Sequence, residues 1–342
     1  MIRHNYCGDI TLLTLTNSKG AEVTLSTLGA GIISIIVPDR HGDLTDVALG
    51  YADPADYMAD GPCAGKIPGR FANRIASGRF SIDGNEYHLA VNNGPNALHG
   101  GPTGFQNRIW TLVSADNDTV TMAYISTDGE EGYPGCLEVT ATYTWTDDCT
   151  LRLTLKAVTD RQTVVNLTNH TYFNLAAHNA GTVLGHTLHL MSSRYLPTDD
   201  TLIPTGELAP VNGTPMDFTV PKSLGRDIRA DFPALLYGKG YDNCWAIDDA
   251  DGTIRPAAIL RDPASGRTLT VATDQPGVQI YTGNWLDGSP AGKDGAVYHD
   301  YDAVAIECQA FPDSPNRPDF PTTLLRPGET YCRTIEFRFT AG

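Results

Sequence analysis

The sequence predicts an all-β protein, a large antiparallel β-sandwich with little helix. Short runs of β-forming residues recur along the chain and are separated by turn dipeptides such as Asp83-Gly84 and Asn212-Gly213. Residues 151–157 alternate apolar and polar side chains with a period of two, which is typical of a half-buried strand. The 34 glycines and 22 prolines supply the residues that many turns require. The predicted strands include residues 22–27, 32–37, 120–126, 137–145, 151–157 and 268–273.

Helical signals are few, and nothing in the chain marks a domain boundary. Residues 223–228 predict one or two helical turns that begin at a Ser223 N-cap. The longest irregular region, residues 197–241, keeps apolar anchors such as Leu202 and Phe218, which indicates an ordered crossing between sheets. Since there is no fixed-period repeat and no Gly/Ser linker, we expect residues 1–342 to form a single domain.

The charge balance excludes several classes of partner. The formal net charge is −16, and no cluster of Lys or Arg could neutralise nucleic-acid phosphates or an anionic membrane surface. The seven cysteines are scattered and form no C-x-x-C, which favours free thiols in a reducing compartment. Residues 1–10 contain His4, Asn5 and Asp9 where a signal peptide would have an apolar run, so we expect a cytoplasmic protein.

Several common chemistries lack their motifs. The chain has no G-x-S-x-G nucleophile elbow and no dinucleotide-binding fingerprint. His186 and His189 would point to opposite faces of a strand, so they could not share one metal ion. The sequence therefore predicts neither a metal site nor a cofactor.

The segment around His170 places polar residues in an apolar β context. In Asn166-Leu-Thr-Asn-His-Thr-Tyr-Phe-Asn-Leu175, strand alternation would put Asn166, Thr168, His170 and Tyr172 on one face. An imidazole among hydroxyls and an amide suits proton transfer or sugar binding. A hydrogen-bonded structural histidine is the alternative, and the segment alone does not separate the two.

Glu307 lies inside the apolar segment Ala303-Val-Ala-Ile-Glu-Cys-Gln-Ala-Phe-Pro312. A buried carboxylate costs several kcal/mol unless it has a partner, so its presence requires a reason. Desolvation would raise its pKa toward the range that suits a general base. The alternative is a structural ion pair, with Arg74 or Arg338 as the partner.

Four further segments carry groups that can bind a sugar. Gly69-Arg-Phe-Ala-Asn-Arg-Ile75 and Asn96-Ala-Leu-His-Gly-Gly101 offer Asn73, Arg74 and His99 as hydrogen-bond donors. Tyr241-Asp-Asn243 and Pro276-Gly-Val-Gln-Ile-Tyr281 add Asp242 as an acceptor and Gln279 as an amide, and Trp285 could pack on a sugar face. Each of these residues alone is also compatible with a structural or turn role.

In combination and in this order, these segments resemble the aldose 1-epimerase family. The matching segments span most of the chain: Gly69-Arg-Phe-Ala-Asn-Arg-Ile75, Leu98-His-Gly-Gly101, Asn169-His-Thr-Tyr-Phe-Asn-Leu175, Tyr241-Asp-Asn243, Gly277-Val-Gln-Ile-Tyr-Thr-Gly-Asn284, and Glu307 with Pro312. The chain departs from the family at Lys66-Ile67-Pro68, where a small or β-branched run is expected.

The resemblance implies a fold, a reaction and roles for the site residues. It implies a galactose-mutarotase-like β-sandwich that interconverts the α and β anomers of a free aldohexose, galactose or glucose, without a cofactor. Glu307 falls at the general base and His170, protonated, at the general acid of the ring-opening reaction. The sugar-binding positions fall on Asn73, Arg74, His99, Tyr172, Asp242 and Gln279. The expected partner is a monosaccharide, and the chain is expected to be a monomer or homodimer.

Three alternative functions remain at this point. A hexose-6-phosphate 1-epimerase would need several Arg or Lys side chains near the site, and few are available. A glycoside hydrolase would use two carboxylates such as Glu307 and Asp242, which would leave His170 without a role. A sugar-binding module on the same fold would not need the acid/base pair.

Overall fold

The computed structural model describes residues 2–58 and 60–342, and in this part of the chain most regular structure is antiparallel β-sheet. The strands are, in chain order, β1 (Ile2–Cys7), β2 (Ile10–Thr16), β3 (Glu22–Ser26), β4 (Gly31–Pro38), β5 (Leu44–Asp46), β6 (Arg74–Ile75), β7 (Arg79–Ile82), β8 (Asn85–His88), β9 (Ala97–Leu98), β10 (Thr111–Ala115), β11 (Thr119–Ser126), β12 (Leu137–Trp145), β13 (Thr150–Thr159), β14 (Thr163–Val164), β15 (Tyr172–Phe173), β16 (Thr187–Leu190), β17 (Arg194–Tyr195), β18 (Ala209–Pro210), β19 (Lys222–Ser223), β20 (Asp242–Ala246), β21 (Arg255–Arg261), β22 (Arg267–Thr273), β23 (Gly277–Tyr281), β24 (Val304–Gln309), β25 (Leu324–Leu325) and β26 (Tyr331–Ala341).

Three large sheets organise these strands. The nine-stranded sheet has the order β10-β11-β12-β13-β26-β22-β21-β16-β19, and the six-stranded sheet has the order β15-β24-β23-β20-β17-β18. Strands β1 to β5 form a five-stranded sheet in sequence order, and three two-stranded ladders pair β6 with β9, β7 with β8, and β14 with β25. The predicted all-β sandwich is confirmed, and each predicted strand overlaps an observed one.

Helix is scarce in the described residues. The one or two helical turns predicted at 223–228 are observed as the 3-10 turn Leu224–Arg226 with Ser223 at its N-cap position, although the Ser223 side chain makes no capping bond. The α-helix, α1, is Pro233–Gly238, with Pro233 in the first turn and Lys239 in a left-handed conformation after its end. The other 3-10 helices are Pro54–Met58, Ala76–Gly78, Phe105–Asn107, Glu130–Gly132, Val183–Gly185, Lys293–Gly295 and Ser314–Asn316.

A shared apolar core joins the nine- and six-stranded sheets. The nine-stranded sheet contributes residues such as Leu153 and Phe337, and the six-stranded sheet contributes Val278, Ile280 and Ile306. This packing of inner faces is that of a sandwich.

Strand β24 is buried on both faces, which explains its apolar sequence. Its even-numbered residues, Val304, Ile306 and Cys308, belong to the sandwich core. Alternation therefore turns the side chains of Ala305, Glu307 and Gln309 to the opposite face of the six-stranded sheet. The fold thus places a carboxylate on the outer face of a central strand and still keeps it from water.

None of the helices in residues 2–58 and 60–342 has the length and apolar composition needed to cross a bilayer.

Candidate active site

A groove of about 920 Å³ lies on the outer face of the six-stranded sheet. The loops around residues 60–62, 93–95 and 285–290 form parts of its walls. All the predicted site residues except Gln279 line this groove, namely Asn73, Arg74, His99, His170, Tyr172, Asp242 and Glu307.

The register of the sheet explains how residues distant in sequence meet on the floor of the groove. Glu307 of β24 lies directly opposite Gln279 of β23, and Tyr281 of β23 lies opposite Asp242 of β20. Tyr172 of β15 lies opposite Ala305 of β24. Because directly opposed residues share a face, these side chains all project to the groove side of the sheet.

Glu307 is the most perturbed carboxylate of the floor. It is 2 % exposed, and its Oε1 atom lies 3.5 Å from Nε2 of His170, while its Oε2 atom has no hydrogen-bond partner. Burial raises the pKa of the Glu307 carboxyl well above its ordinary value, Asp242 adds to this effect and Arg74 opposes it. The alternative of a direct ion pair with an arginine is not observed, since Arg74 pairs with Asp242 and Arg338 with Asp148.

His170 is held through its main chain and has a free ring nitrogen. The residue is not in a strand, because β15 covers only Tyr172 and Phe173. Its main-chain N–H donates to Lys66 O, and its carbonyl accepts from the N–H of Gly65, both at 2.9 Å. The Nδ1 atom is buried without a hydrogen-bond partner.

Burial shifts the pKa values of Glu307 and His170 in opposite directions. Burial, with Lys66 as a smaller cause, lowers the pKa of His170 to about 4, and it raises the pKa of Glu307. Both shifts favour the neutral forms, a carboxylic acid and an imidazole, whereas the sequence analysis expects a protonated His170 as the acid. The neutral pair and the charged pair differ by one proton transfer over 3.5 Å.

Asn73 and His99 adopt left-handed conformations at the same end of the β6–β9 ladder, with φ values of 65° and 53°. Their backbones are linked, since the N–H of His99 donates to Asn73 O at 3.1 Å. The N–H of Asn73 donates to Nδ1 of His99, also at 3.1 Å. A ring nitrogen that accepts a hydrogen bond carries no proton, so the neutral imidazole of His99 has its N–H at Nε2. Burial, with His170 and Arg74 nearby, lowers the pKa of His99 and keeps it neutral.

A line of polar contacts orients Arg74 and Asp242. The Nη2 atom of Arg74 lies 3.3 Å from Oδ2 of Asp242, and its Nε–H donates to Oδ1 of Asn93 at 3.0 Å. The side-chain amide of Gln279 donates to Oδ1 of Asp242 at 2.7 Å. Gln279 itself lies beside a void of about 10 Å³ next to the groove, so the structure places it behind Asp242.

Aromatic side chains form the apolar part of the groove. The rings of Tyr172 and Tyr281 lie 4.8 and 6.2 Å from the ring of His170. Trp285 is 60 % exposed at the rim, where the ammonium of Lys239 lies 4.4 Å from its ring centroid. An exposed indole face beside polar hydrogen-bonding groups can pack on the apolar face of a sugar ring.

Sequence reasoning gave no site role to several groove-lining residues, among them Tyr281, Asn93 and Asp60. Tyr281 was quoted within a motif, and alternation from Gln279 would have placed it on the same face. Asn93 was interpreted only as part of the Asn93-Gly94-Pro95 turn, and its side chain orients Arg74. Asp60 gave no signal, because no periodic pattern or motif marks its buried contact with Lys66.

His99, His170 and Glu307 each offer a ligand atom within 4.8 Å of the other two, which is close to the spacing of a metal site. A metal-binding imidazole usually donates its second ring N–H to an acceptor. In His99 that second nitrogen faces the N–H of Asn73 and must act as an acceptor instead. The arrangement therefore suits hydrogen bonding to a ligand better than coordination of a metal ion.

Comparison with known proteins identifies relatives over nearly the whole chain. The family model described as aldose 1-epimerase matches residues 11–338. The chain is 45 % identical over 323 residues to a mouse protein named galactose mutarotase, with 94 % of this chain and 92 % of the relative covered. It is 37 % identical over 332 residues to the aldose 1-epimerase of Escherichia coli K12, with coverage of 96 % and 95 %.

Solved structures agree with the sequence relatives. An aldose epimerase homologue from C. elegans superimposes with a TM-score of 0.89 at 31 % identity, covering 96 % of this chain and 98 % of that one. A galactose 1-epimerase from Lactobacillus acidophilus gives a TM-score of 0.86 at 26 % identity, with coverage of 99 % and 98 %.

Proposed function

The chain belongs to the aldose 1-epimerase family and is an isomerase that interconverts the anomers of aldoses, and we propose that it does so with Glu307 as the base and His170 as the acid. The observation that carries the assignment is the 3.5 Å approach of Glu307 Oε1 to His170 Nε2 inside the groove. The proposed substrate is a free aldohexose, galactose or glucose.

Ring opening requires two proton transfers. Glu307, as the carboxylate, takes the proton of the C1 hydroxyl while the C1–O5 bond breaks, and His170, as the imidazolium, gives its proton to O5. The sugar becomes an open-chain aldehyde, Glu307 becomes a neutral acid and His170 a neutral imidazole. Rotation about C1–C2 and the reverse transfers close the ring as the other anomer.

Burial works against the charged pair from which ring opening starts. It raises the pKa of Glu307 and lowers that of His170, so both shifts favour the neutral acid and the neutral imidazole that follow ring opening. Arg74, whose charge lowers the pKa of Glu307, favours the carboxylate that the reaction needs.

The other site residues are proposed to hold the sugar. Nε2–H of His99 would donate to a sugar oxygen, as would Arg74, and Asp242 would accept from a hydroxyl. Asn73 and Tyr172 line the same groove, and we assign Gln279 to the orientation of Asp242.

The groove does not favour a phosphorylated substrate. Among its described lining residues Arg74 is the one arginine or lysine, and its guanidinium already pairs with Asp242. A phosphate would need further donors of this kind. We therefore retain a free sugar as the proposed substrate over a hexose 6-phosphate.

Our proposal extends to the domain organisation, location, oligomeric state and partners of the enzyme. We propose one domain over residues 1–342, a cytoplasmic location, action as a monomer or homodimer, and no nucleic-acid or membrane partner. The net charge of −16 supports the absence of a nucleic-acid or membrane partner. The apolar core that contains residues from Leu13 to Phe339 supports one domain.

Polarimetry of fresh α-D-galactose and α-D-glucose tests the proposed chemistry. We expect the protein to speed relaxation to the same final rotation, and Glu307→Gln to reduce kcat by about 10² to 10⁴ because the base is lost. Sugar binding, measured by calorimetry, should persist in this variant. Glu329→Gln, an exposed carboxylate away from the groove, is the matched control and should keep wild-type turnover. A Glu307→Gln enzyme with more than a tenth of normal turnover would contradict the assignment.

A further inference from the structure

Lys66, which lies in the segment Lys66-Ile67-Pro68, has a fully buried ammonium. The side chains of Lys66 and Asp60 are both 0 % exposed, and they form an ion pair. Lys66 Nζ also donates to the carbonyl of Tyr57 and, at 3.1 Å, to Oδ1 of Asn107. These contacts use all three hydrogens of the ammonium.

Both carboxylate oxygens of Asp60 also have hydrogen-bond partners. Its Oδ2 atom accepts from the main-chain N–H of Ala64 at 2.7 Å and from the hydroxyl of Tyr51 at 3.2 Å. Residues 60–62 line the groove, so the ion pair lies at the base of one of its walls. Burying two charges is costly, and here each charge has its full set of partners.

The main chain of Lys66 connects this wall to the proposed acid. The carbonyl of Lys66 accepts from the N–H of His170, and the adjacent Gly65 donates to the carbonyl of His170, both at 2.9 Å. The hydroxyl of Tyr172 donates to Pro62 O at 2.9 Å, which ties the wall to the floor a second time.

We propose that Lys66 is a positioning residue that fixes the wall formed by residues 60–62, hereafter the 60–62 wall, at a set distance from His170. Its ammonium holds Asp60 and the Tyr57 carbonyl, and its carbonyl holds His170. The inference rests on the proposed function of the groove, because the wall matters for the reaction only if the sugar binds there.

A double variant, Lys66→Met with Asp60→Asn, tests this role. It removes both charges with little change in volume, so no unpaired charge remains in the interior. KM for α-D-galactose is expected to rise about tenfold while kcat changes less than about threefold, since a displaced wall weakens the ground state and the transition state alike. An unchanged KM in the folded double variant would overturn the proposal.

The chain contains a matched control in a second Lys–Asp pair, whose two side chains are each 16 % exposed. Lys293 Nζ contacts Asp46 Oδ2, Ile33 O and Ala48 O at 2.6, 2.9 and 2.7 Å, and none of these residues lines the groove. Lys293→Met with Asp46→Asn should lower the melting temperature but leave KM unchanged. An equal rise of KM in both double variants would show that Lys66 acts only through stability, and the proposal would be wrong.

Two further measurements keep the outcome interpretable. If the double variant does not fold, Asp60→Asn alone keeps the ammonium and weakens its strongest contact, and a smaller rise of KM is expected; an unchanged KM there would also overturn the proposal. Wild-type polarimetry is done first. Absence of wild-type acceleration would overturn the proposed function, whereas an active wild type with insensitive variants would overturn the role of Lys66 alone.

Discussion

Glu307 and His170 differ in their surroundings although their side chains are 3.5 Å apart. The carboxyl lies in the middle of a strand that is buried on both faces, and the imidazole is held by backbone contacts of an irregular segment. Burial acts on both in the same direction, against charge, so it raises the pKa of the acid and lowers that of the imidazole. The pair thus binds its first proton tightly and its second weakly.

This asymmetry predicts the pH dependence of the reaction. Between pH 4 and the raised pKa of Glu307 the pair holds one proton, and one group can act as base and the other as acid. Below pH 4 His170 takes a second proton and no base remains, so kcat/KM should fall about tenfold per pH unit there. Polarimetry from pH 3.5 to 9, with the uncatalysed rate subtracted, measures this. An acid limb near 6.5, the ordinary value for histidine, would contradict the prediction.

Residue-scale sequence reasoning succeeded for Glu307 and was incomplete for His170. Its apolar neighbours predicted a buried carboxylate inside a strand, and the strand is buried along its whole length. The segment 166–171 has similar composition but is not a strand. Its side chains instead bond to the main chain of distant segments, with Asn169 donating to Gly65 O at 2.7 Å and Asn166 accepting from Ala310 N–H at 2.9 Å. Contacts between distant segments of this kind are not encoded in local periodicity.

At the scale of elements, the short β6–β9 ladder presents Asn73 and His99 to the groove. Both residues have positive φ, a conformation that costs most non-glycine residues about 1–2 kcal/mol. Asparagine tolerates this region better than most residues because its short polar side chain can bond locally, as it does here to the N–H of Arg74 at 2.8 Å.

Two substitutions at Asn73 separate backbone strain from side-chain function. Asn73→Gly accepts φ of 65° and Asn73→Ala does not, so the glycine variant should be more stable by about 1 kcal/mol. Both lose the amide, so both should lose sugar affinity equally. Urea unfolding and galactose titration measure the two effects. The exposed Asp249, with φ of 54°, provides the control, since its Gly and Ala variants should show the same stability order with normal activity.

The sequence predicted the strands better than the helices. Strong alternation identified β13, whereas α1 was missed because its six residues are too few to establish a helical period. Pro233 in its first turn was the available signal. The helical turns predicted at 223–228 are present as the 3-10 turn Leu224–Arg226, without a capping bond from the Ser223 side chain.

At the scale of the whole molecule, neutral buried histidines link stability to pH. His186 accepts a hydrogen bond from the N–H of Leu175 at 3.0 Å, and burial lowers its pKa from 6.5 to about 4. Between these values the unfolded chain binds a proton that the folded chain does not. The free energy of unfolding therefore falls as pH drops from 6.5 toward 4.

The expected loss from His186 alone is about 3 kcal/mol across this window. Urea unfolding at pH 7 and pH 4.5 measures it, and in His186→Gln, which keeps an acceptor for Leu175 but does not titrate, the difference between the two pH values should be smaller by about this amount. An equal pH dependence in the variant would assign the effect to other groups, such as His99 and His170.

The hydrogen bond from Asn73 N–H to His99 also has an evolutionary consequence. The donor belongs to the main chain, so no side-chain substitution at residue 73 other than proline can remove it. The backbone of the β6–β9 ladder therefore determines that the neutral His99 ring carries its proton on Nε2. Neighbouring side chains can change during evolution, and His99 will still offer a ligand a hydrogen-bond donor at Nε2 as long as the ladder is kept.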